Sequence, residues 1–444
     1  MELEQLREKI EAAGVVGAGG AGFPTHRKLA RGIDTVLVNA AECEPLLYTD
    51  FTLLREHLDR VCEGARELCD AMGAAEALVA MKEHTALRLG IARGEELPCG
   101  ARAALLPDAY PMGDEIIMIY QALGRVVPPG QLPSAAGVVV VNAETAYNVS
   151  NAVRDIPVTE KWLTIGGAVE HPVVVKVPVN CGVRAVLHAA GVDVPAGHVV
   201  VDGGPAMGSI VNPASAVVTK KTKALLILPE GIPAIANKAA PVERLLKRVP
   251  SACCQCMYCT ELCPRHLLGY PLQPHKTLRA VGAGTPGNPE DLLTASLCSG
   301  CGVCTLMACC QGIAPSAAMT AVKQSLGRHR LGYRASGPTK PDPERDFRMV
   351  PVSRFKSRIG VAKFDREAEW TGDLPVEQSL WRLPLSQHVG KPSEPVVAAG
   401  DEVAAGQMVA KAREGISAAL HAPVAGKISR VTETEIEMTT GGVK

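Results

Sequence analysis

Aromatic residues are scarce in this 444-residue chain, with three Trp, seven Tyr and five Phe. A nucleic-acid binder needs stacking rings or a basic stripe, and net charge offers none, since 46 Lys and Arg balance 46 Asp and Glu. Nucleic acid is thereby excluded as a partner. Long apolar runs are also missing. Runs such as 138–141 and 224–228 fall far short of the ~20 residues that cross a bilayer, so no membrane span is expected. The first fourteen residues mix acidic and basic groups without an apolar stretch, which argues against a secretory signal. A soluble, cytoplasmic protein is expected. Disorder is excluded by 47% hydrophobic and 21% charged residues, and the length suits about three domains of ~150 residues.

Cysteine is abundant. The chain has fifteen, ten of them between Cys253 and Cys310, and in a cytosolic protein dense short spacing points to metal rather than disulfides. Cys253, Cys256, Cys259 and Cys263 follow the x2-x2-x3 spacing of bacterial ferredoxins and precede Pro264. Cys298, Cys301, Cys304 and Cys309 repeat it with x4 before the last cysteine. Zinc sites usually take paired CxxC units, so three cysteines at x2-x2 followed by Cys-Pro favour two [4Fe–4S] clusters. In two-cluster ferredoxins the fourth cysteine of each run serves the other cluster. Crossed ligation is therefore expected, joining Cys309 to the first three and Cys263 to the second three. Either Cys309 or Cys310 satisfies the spacing. Cys254 is surplus and reads as a small buried residue.

Alternating helix and strand patterns mark residues 1–155 as an α/β domain. Short β runs with one helical insert mark 156–232 as an α+β domain, and 240–333 forms the cysteine region. Residues 334–380 begin with a proline-rich, charged stretch and read as a linker. From 381 to 444, apolar runs alternate with glycine turns, predicting a small all-β module.

Gly17, Gly19 and Gly22 formally fit G-x-G-x-x-G, yet a helix precedes them and Phe23-Pro24 follows, which disfavours a standard dinucleotide fingerprint. The loop still exposes backbone N–H groups to a phosphate or flat ring. Strand 35–38 then runs into Asn39-Ala-Ala-Glu42-Cys-Glu44-Pro45, polar groups at a strand's carboxyl end, where α/β sheets bind ligands.

The runs GAGGAGFPT (17–25) and NAAECEP (39–45) resemble the flavin motifs of the Rnf complex C subunit and, more distantly, of the complex I 51 kDa subunit. YPMGDE (110–115) and VNAET (141–145) match two further motifs of that superfamily. GGAV (166–169) and GGPAMG (203–208) resemble its β-grasp (SLBB) domain. The resemblance implies FMN in the first domain, with Gly17, Gly19, Gly20, Gly22 and Lys28 on the phosphate side. Asn39, Glu42, Tyr110, Gly113, Asp114 and Glu115 are then expected around the ring, closed by Asn142 and Thr145. Phe23 and Glu44 are expected to face NADH, with Glu42, Glu44 and Glu115 as catalytic groups.

The C-terminal module resembles a barrel-sandwich hybrid, the fold of lipoyl and biotin carriers, but lacks their lysine hairpin, so it reads as a packing domain. Its place at the end of the chain favours the cobalamin-reductase type of the superfamily. That resemblance implies electron flow from NADH through FMN and two clusters to a corrinoid, inside a bacterial microcompartment with shell proteins as neighbours. The alternatives are a peripheral subunit of an ion-translocating complex and an electron-wiring protein between redox partners. The N-terminal helix serves equally as a targeting segment or as a packed first helix.

Overall fold

A computed structural model describes residues 1–284, 287–334 and 339–441. Part of the expected linker (335–338), two residues of the cysteine region (285–286) and the last three of the β module (442–444) lie outside the described residues.

The first sheet is parallel throughout, in the order Arg102–Leu106, Glu76–Lys82, Thr35–Asn39, Val138–Asn142. Its strands Thr35–Asn39 and Val138–Asn142 are valine-rich because both faces are covered. Val36, Val38, Val139 and Val141 face one core with Leu6, Ile10 and Leu53. Leu37, Val138 and Val140 face the other, which contains Ile116, Leu268, Tyr270 and Leu297. The cysteine region thus supplies part of the second cover. On the first face, helices Thr49–Met72 and Ala143–Val153 pack so closely that a Cβ at Gly64 would lie 1.9 Å from the Ala146 carbonyl oxygen. The N-terminal helix Leu3–Ala12 buries Leu3, Leu6 and Ile10 in the same core.

The second sheet runs Glu369–Asp373, Val173–Pro178, Glu160–Gly167, Ala224–Pro229, His198–Asp202, Ser209–Val211. Its two central strands are parallel, and helix Val183–Ala189 belongs to the core on one face. That core continues into the C-terminal module through Trp381, Leu383, Val409 and Met438. The other face carries Val201, Leu226 and Leu228 against Cys301, Val303 and Leu306 of the cysteine region.

Residues 350–373 are structured rather than a bare linker. Val350–Pro351 pairs antiparallel with Ala109–Tyr110, helix Val352–Arg358 buries Phe355, and Glu369–Asp373 extends the second sheet. Trp370 stacks on Trp162 with ring centroids 4.5 Å apart. Charge and proline mask these anchors in the sequence, because each element is short and makes its contacts with distant segments. The C-terminal module is two small sheets of four and three strands, and its Lys411 pairs with Glu394 at 3.7 Å. Among the described residues, no helix is long and apolar enough to cross a membrane.

Candidate active site

Strands Thr35–Asn39 and Val138–Asn142 are parallel and in register, so Asn39 and Asn142 stand side by side at their carboxyl ends. Both amides are engaged. Asn142 Oδ1 caps helix Ala143–Val153 by accepting from Glu144 N at 3.0 Å, and Nδ2 donates to Asn39 O and to both Asp50 carboxylate oxygens at 3.2 Å. Asn39 Nδ2 donates to Gly113 O at 2.9 Å. Gly19 closes over this pair, where a Cβ would sit 3.1 Å from Asn142 Nδ2. Above them lies a cavity of about 270 Å³.

Gly19, Asn39, Glu42, Glu44, Gly113, Asp114, Glu115 and Asn142 of the predicted set line that cavity. Glu42 adopts φ 42° and accepts hydrogen bonds from Asp50 N (3.0 Å) and Phe51 N (3.2 Å), the first turn of helix Thr49–Met72. Burial, reinforced by the Asp50 charge, pushes its pKa up to about 7 although Lys223 opposes the shift. Glu44 is tied down differently. Its carboxylate accepts from Ala206 N (2.9 Å) and Met207 N (2.7 Å) of the second domain, and burial raises its pKa. Asp114 caps helix Glu115–Leu123 through Ile116 N at 3.0 Å.

Gly17, Gly20, Gly22, Phe23, Lys28, Tyr110 and Thr145 do not line the cavity. Several brace it from behind. Thr145 Oγ1 accepts from Ala18 N at 3.0 Å, and Gly17 N donates to Phe23 O at 2.9 Å. Lys28 donates to Val140 O at 3.1 Å and lies 4.0 Å from Glu115. Tyr110 is buried, stacked on Phe355 with centroids 4.1 Å apart, and its hydroxyl donates to Cys301 O at 2.7 Å.

Three charged wall residues fall outside the predicted site set. Asp50 opens the long helix; Lys223 ends the lysine-rich turn of the second domain, the only local signal for it; and Arg265 follows Cys263-Pro264. Lys223 Nζ lies 2.5 Å from Asp50 and 3.5 Å from Glu144, and Glu144 also pairs with buried Lys161. Burial works against the Lys223 charge, but the two carboxylates outweigh it and raise its pKa. Arg265 grips Asp114 with two bonds, Nε to Oδ2 at 3.0 Å and Nη2 to Oδ1 at 2.8 Å. Two-pronged guanidinium–carboxylate contact fixes orientation as well as charge.

The cysteines gather around two further cavities. Cys263, Cys298, Cys301 and Cys304 line one, together with Arg265 and Ser299. Cys253, Cys256, Cys259 and Cys309 line the other, with Cys254 and Cys310 at its rim. Cys309 directly follows a π-helical turn, Cys304–Ala308, and its N donates to Cys304 O at 3.1 Å. This wide turn absorbs the extra residue of the second run, which spacing alone left unexplained. All fifteen thiols are free, and Cys254 is exposed rather than buried as its size suggested. Burial raises the thiol pKa of Cys259 and Cys263 to about 12, helped by neighbouring thiols. Soft thiolates converging four to a cavity suit an iron-sulfur cluster, whose iron takes the place of the protons that burial otherwise retains. Arg265, Ser299 and Cys301 line both the polar cavity and the first cysteine cavity, making them neighbours through one wall. A further cavity of about 720 Å³, between the second domain and the C-terminal module, shares no lining residue with any of these.

Residues 10–151 match the Nuo51 FMN-binding domain family, 252–314 a 4Fe-4S dicluster domain and 362–443 the RnfC barrel sandwich hybrid domain. The chain is similar to cobalamin reductase PduS of Citrobacter freundii, 40% identical over 99% of this chain and 97% of that protein. The protein of that name from Salmonella typhimurium strain LT2 is 39% identical over 99% and 98%. Similarity to the C subunit of the ion-translocating oxidoreductase complex of Salmonella dublin is 34%, over 60% of this chain and 37% of that one. A solved NAD+-reducing [NiFe]-hydrogenase in the H2-reduced state aligns with 75% of this chain and 64% of its own, at TM-score 0.45 and 20% identity. With similarity at about 40% identity covering 99% of its length, and with flavin and dicluster domains matched, the chain is a flavo-iron-sulfur oxidoreductase that belongs to the PduS cobalamin reductase family.

Proposed function

We propose that the chain carries electrons from NADH, through FMN in the polar cavity and one [4Fe–4S] cluster in each cysteine cavity, to a corrinoid. The observation that carries this reading is the common wall of Arg265, Ser299 and Cys301 between the polar cavity and the first cysteine cavity. Bound FMN supplies the conversion from hydride to single electrons, and bound clusters carry the electrons one at a time. In this reading Gly19, Asn39, Gly113 and Asn142 shape the floor under the flavin, while Glu115 and Glu44 border the nicotinamide side. Glu42, titrating near neutrality, holds or releases a proton at the cavity wall. Lys223 brings a cation from the second domain, locked by Asp50. Arg265 stands in the shared wall, and its charge faces the thiols of Cys263 and Cys298.

Crossed ligation belongs to the same proposal, with Cys263 completing the set of Cys298, Cys301 and Cys304, and Cys309 completing that of Cys253, Cys256 and Cys259. We read the second sheet as a β-grasp (SLBB) domain because its first and last long strands are central and parallel. Residence in a microcompartment, beside shell proteins, follows from the resemblance alone. The N-terminal helix offers little to targeting, since its apolar face is buried. The test is anaerobic protein carrying about one FMN and two [4Fe–4S] clusters, mixed with NADH and cob(III)alamin and followed by the cobalamin spectrum. Zinc in place of iron, or no NADH-dependent cobalamin reduction by such protein, overturns the reading.

A further inference from the structure

Of the ten cysteines between Cys253 and Cys310, two are left over once four face each cavity, and they stand together. Cys254 Sγ and Cys310 Sγ are 3.7 Å apart, although 56 positions separate them in sequence. Both are exposed, whereas their chain neighbours Cys253 and Cys309 are half-buried against the small core of Val249, Leu278 and Ile313. The split into inner and outer thiols has a backbone origin. Adjacent residues in non-helical chain present their side chains in different directions, and left-handed Gln255 (φ 56°) turns the loop just after Cys254. The Cys256 thiol also lies within 4.8 Å of both outer sulfurs, so the pair sits at the solvent edge of the cavity.

We propose that Cys254 and Cys310 are a reversible dithiol–disulfide pair that fastens together the two chain segments bearing Cys253 and Cys309. The proposal rests on reading the adjacent cavity as a cluster site. Its physical basis is separate: accessible thiols poised beside a resolving cysteine are the ones that exchange, and these two sulfurs already stand 3.7 Å apart on exposed side chains. The oxidant is a low-molecular-weight disulfide such as oxidised glutathione. One thiolate attacks it, forming a mixed disulfide and releasing one reduced thiol; the second cysteine then displaces the other. In balance, two protein thiols and one small disulfide give one protein disulfide and two small thiols, with two electrons leaving the protein. The bond would join the segments contributed by the two cysteine runs at the point where the cavity opens to solvent, closing that opening when the surroundings turn oxidising.

The experiment uses holoprotein whose iron has been counted, exposed anaerobically to oxidised glutathione, then alkylated and mapped by mass spectrometry without reduction. The expected result is a Cys254–Cys310 crosslinked peptide, two hydrogens lighter than its parts and reversed by dithiothreitol, with iron content unchanged. Cys254→Ser and Cys310→Ser should each abolish the crosslink and keep full iron. Separate glutathione adducts on Cys254 and Cys310, a crosslink seen only after iron is lost, or iron loss in either variant overturns the proposal. Absence of iron in the untreated protein instead overturns the cluster reading, and the two failures are told apart by that first count.

Discussion

Asn39 and Asn142 end neighbouring parallel strands at paired positions, and the Asn142 amide donates to the Asn39 carbonyl at 3.2 Å while capping the next helix through its oxygen. One side chain therefore sets a helix start, aligns two strand ends and holds Asp50. Asn142→Ala should cost about 1 kcal/mol of stability from the lost cap, and flavin content should fall with it. Denaturant unfolding and FMN per chain measure the two effects; unchanged flavin content would remove Asn142 from the site.

Glu42 couples the site to pH. Its carboxyl titrates near 7 in the folded chain and near 4.5 when unperturbed, mainly because burial, and then the Asp50 charge, disfavours ionisation against the pull of Lys223. Between these values the folded chain keeps a proton that the unfolded chain has released. Stability contributed by this group therefore falls as pH rises from about 4.5 to 7 and is level above. Glu42→Gln should remove that slope, so the variant gains on the parent between pH 5 and pH 8. Equal differences in denaturation midpoint at both pH values would show that Glu42 ionises normally.

Glu44 and Gly204 meet closely where the second sheet's loop 203–208 packs on the acidic turn. A Cβ at Gly204 would fall 2.3 Å from the Glu44 side chain, whose carboxylate is pinned by two backbone N–H groups. Gly204→Ala should destabilise the protein by about 1–3 kcal/mol, the usual range for overpacking. The check is thermal unfolding beside Gly203→Ala as a control at an adjacent position that is strained by its own positive φ, 95°. A neutral Gly204→Ala would mean that the loop 203–208 moves freely away from Glu44.

Much of this architecture was legible because its signals are local. Valine-rich strands, the acidic turn after Asn39 and the two cysteine runs each announce themselves within a few residues. Asp50, Lys223 and Arg265 did not. Lys223 and Arg265 reach the site from the second domain and the cysteine region and leave no trace near the motifs they serve, while Asp50 stands in the first turn of an ordinary amphipathic helix. Tyr110 shows the converse. Its motif was visible, but its hydroxyl is spent on the Cys301 carbonyl and its ring on Phe355, a partner in a segment that looked like linker. The extra residue between Cys304 and Cys309 was equally visible and equally mute, because a π-helical turn is a backbone choice that composition does not encode.

The arrangement of Cys263 yields the most discriminating outcome. Cys263 is only four positions beyond Cys259, yet it lines the cavity of Cys298, Cys301 and Cys304 while Cys259 lines the other. The short helix Tyr258–Glu261 carries the chain from one cavity to the next, and helix Pro264–Leu267 starts directly after Cys263 and fixes it there. Cys309 makes the reverse crossing, and the Cys259 thiol feels its charge first among its sulfur neighbours. If each fourth cysteine serves the cluster of the other run, Cys263→Ser should damage the cluster of the distant run and lower iron by about half, a whole cluster of two. The electron paramagnetic resonance spectrum of the reduced Cys263→Ser protein should then match that of Cys301→Ser and differ from that of Cys256→Ser. A match to Cys256→Ser would assign each run its own cluster. Serine preserves size and hydrogen bonding, so a fall in iron confined to one spectral component reports ligation rather than misfolding.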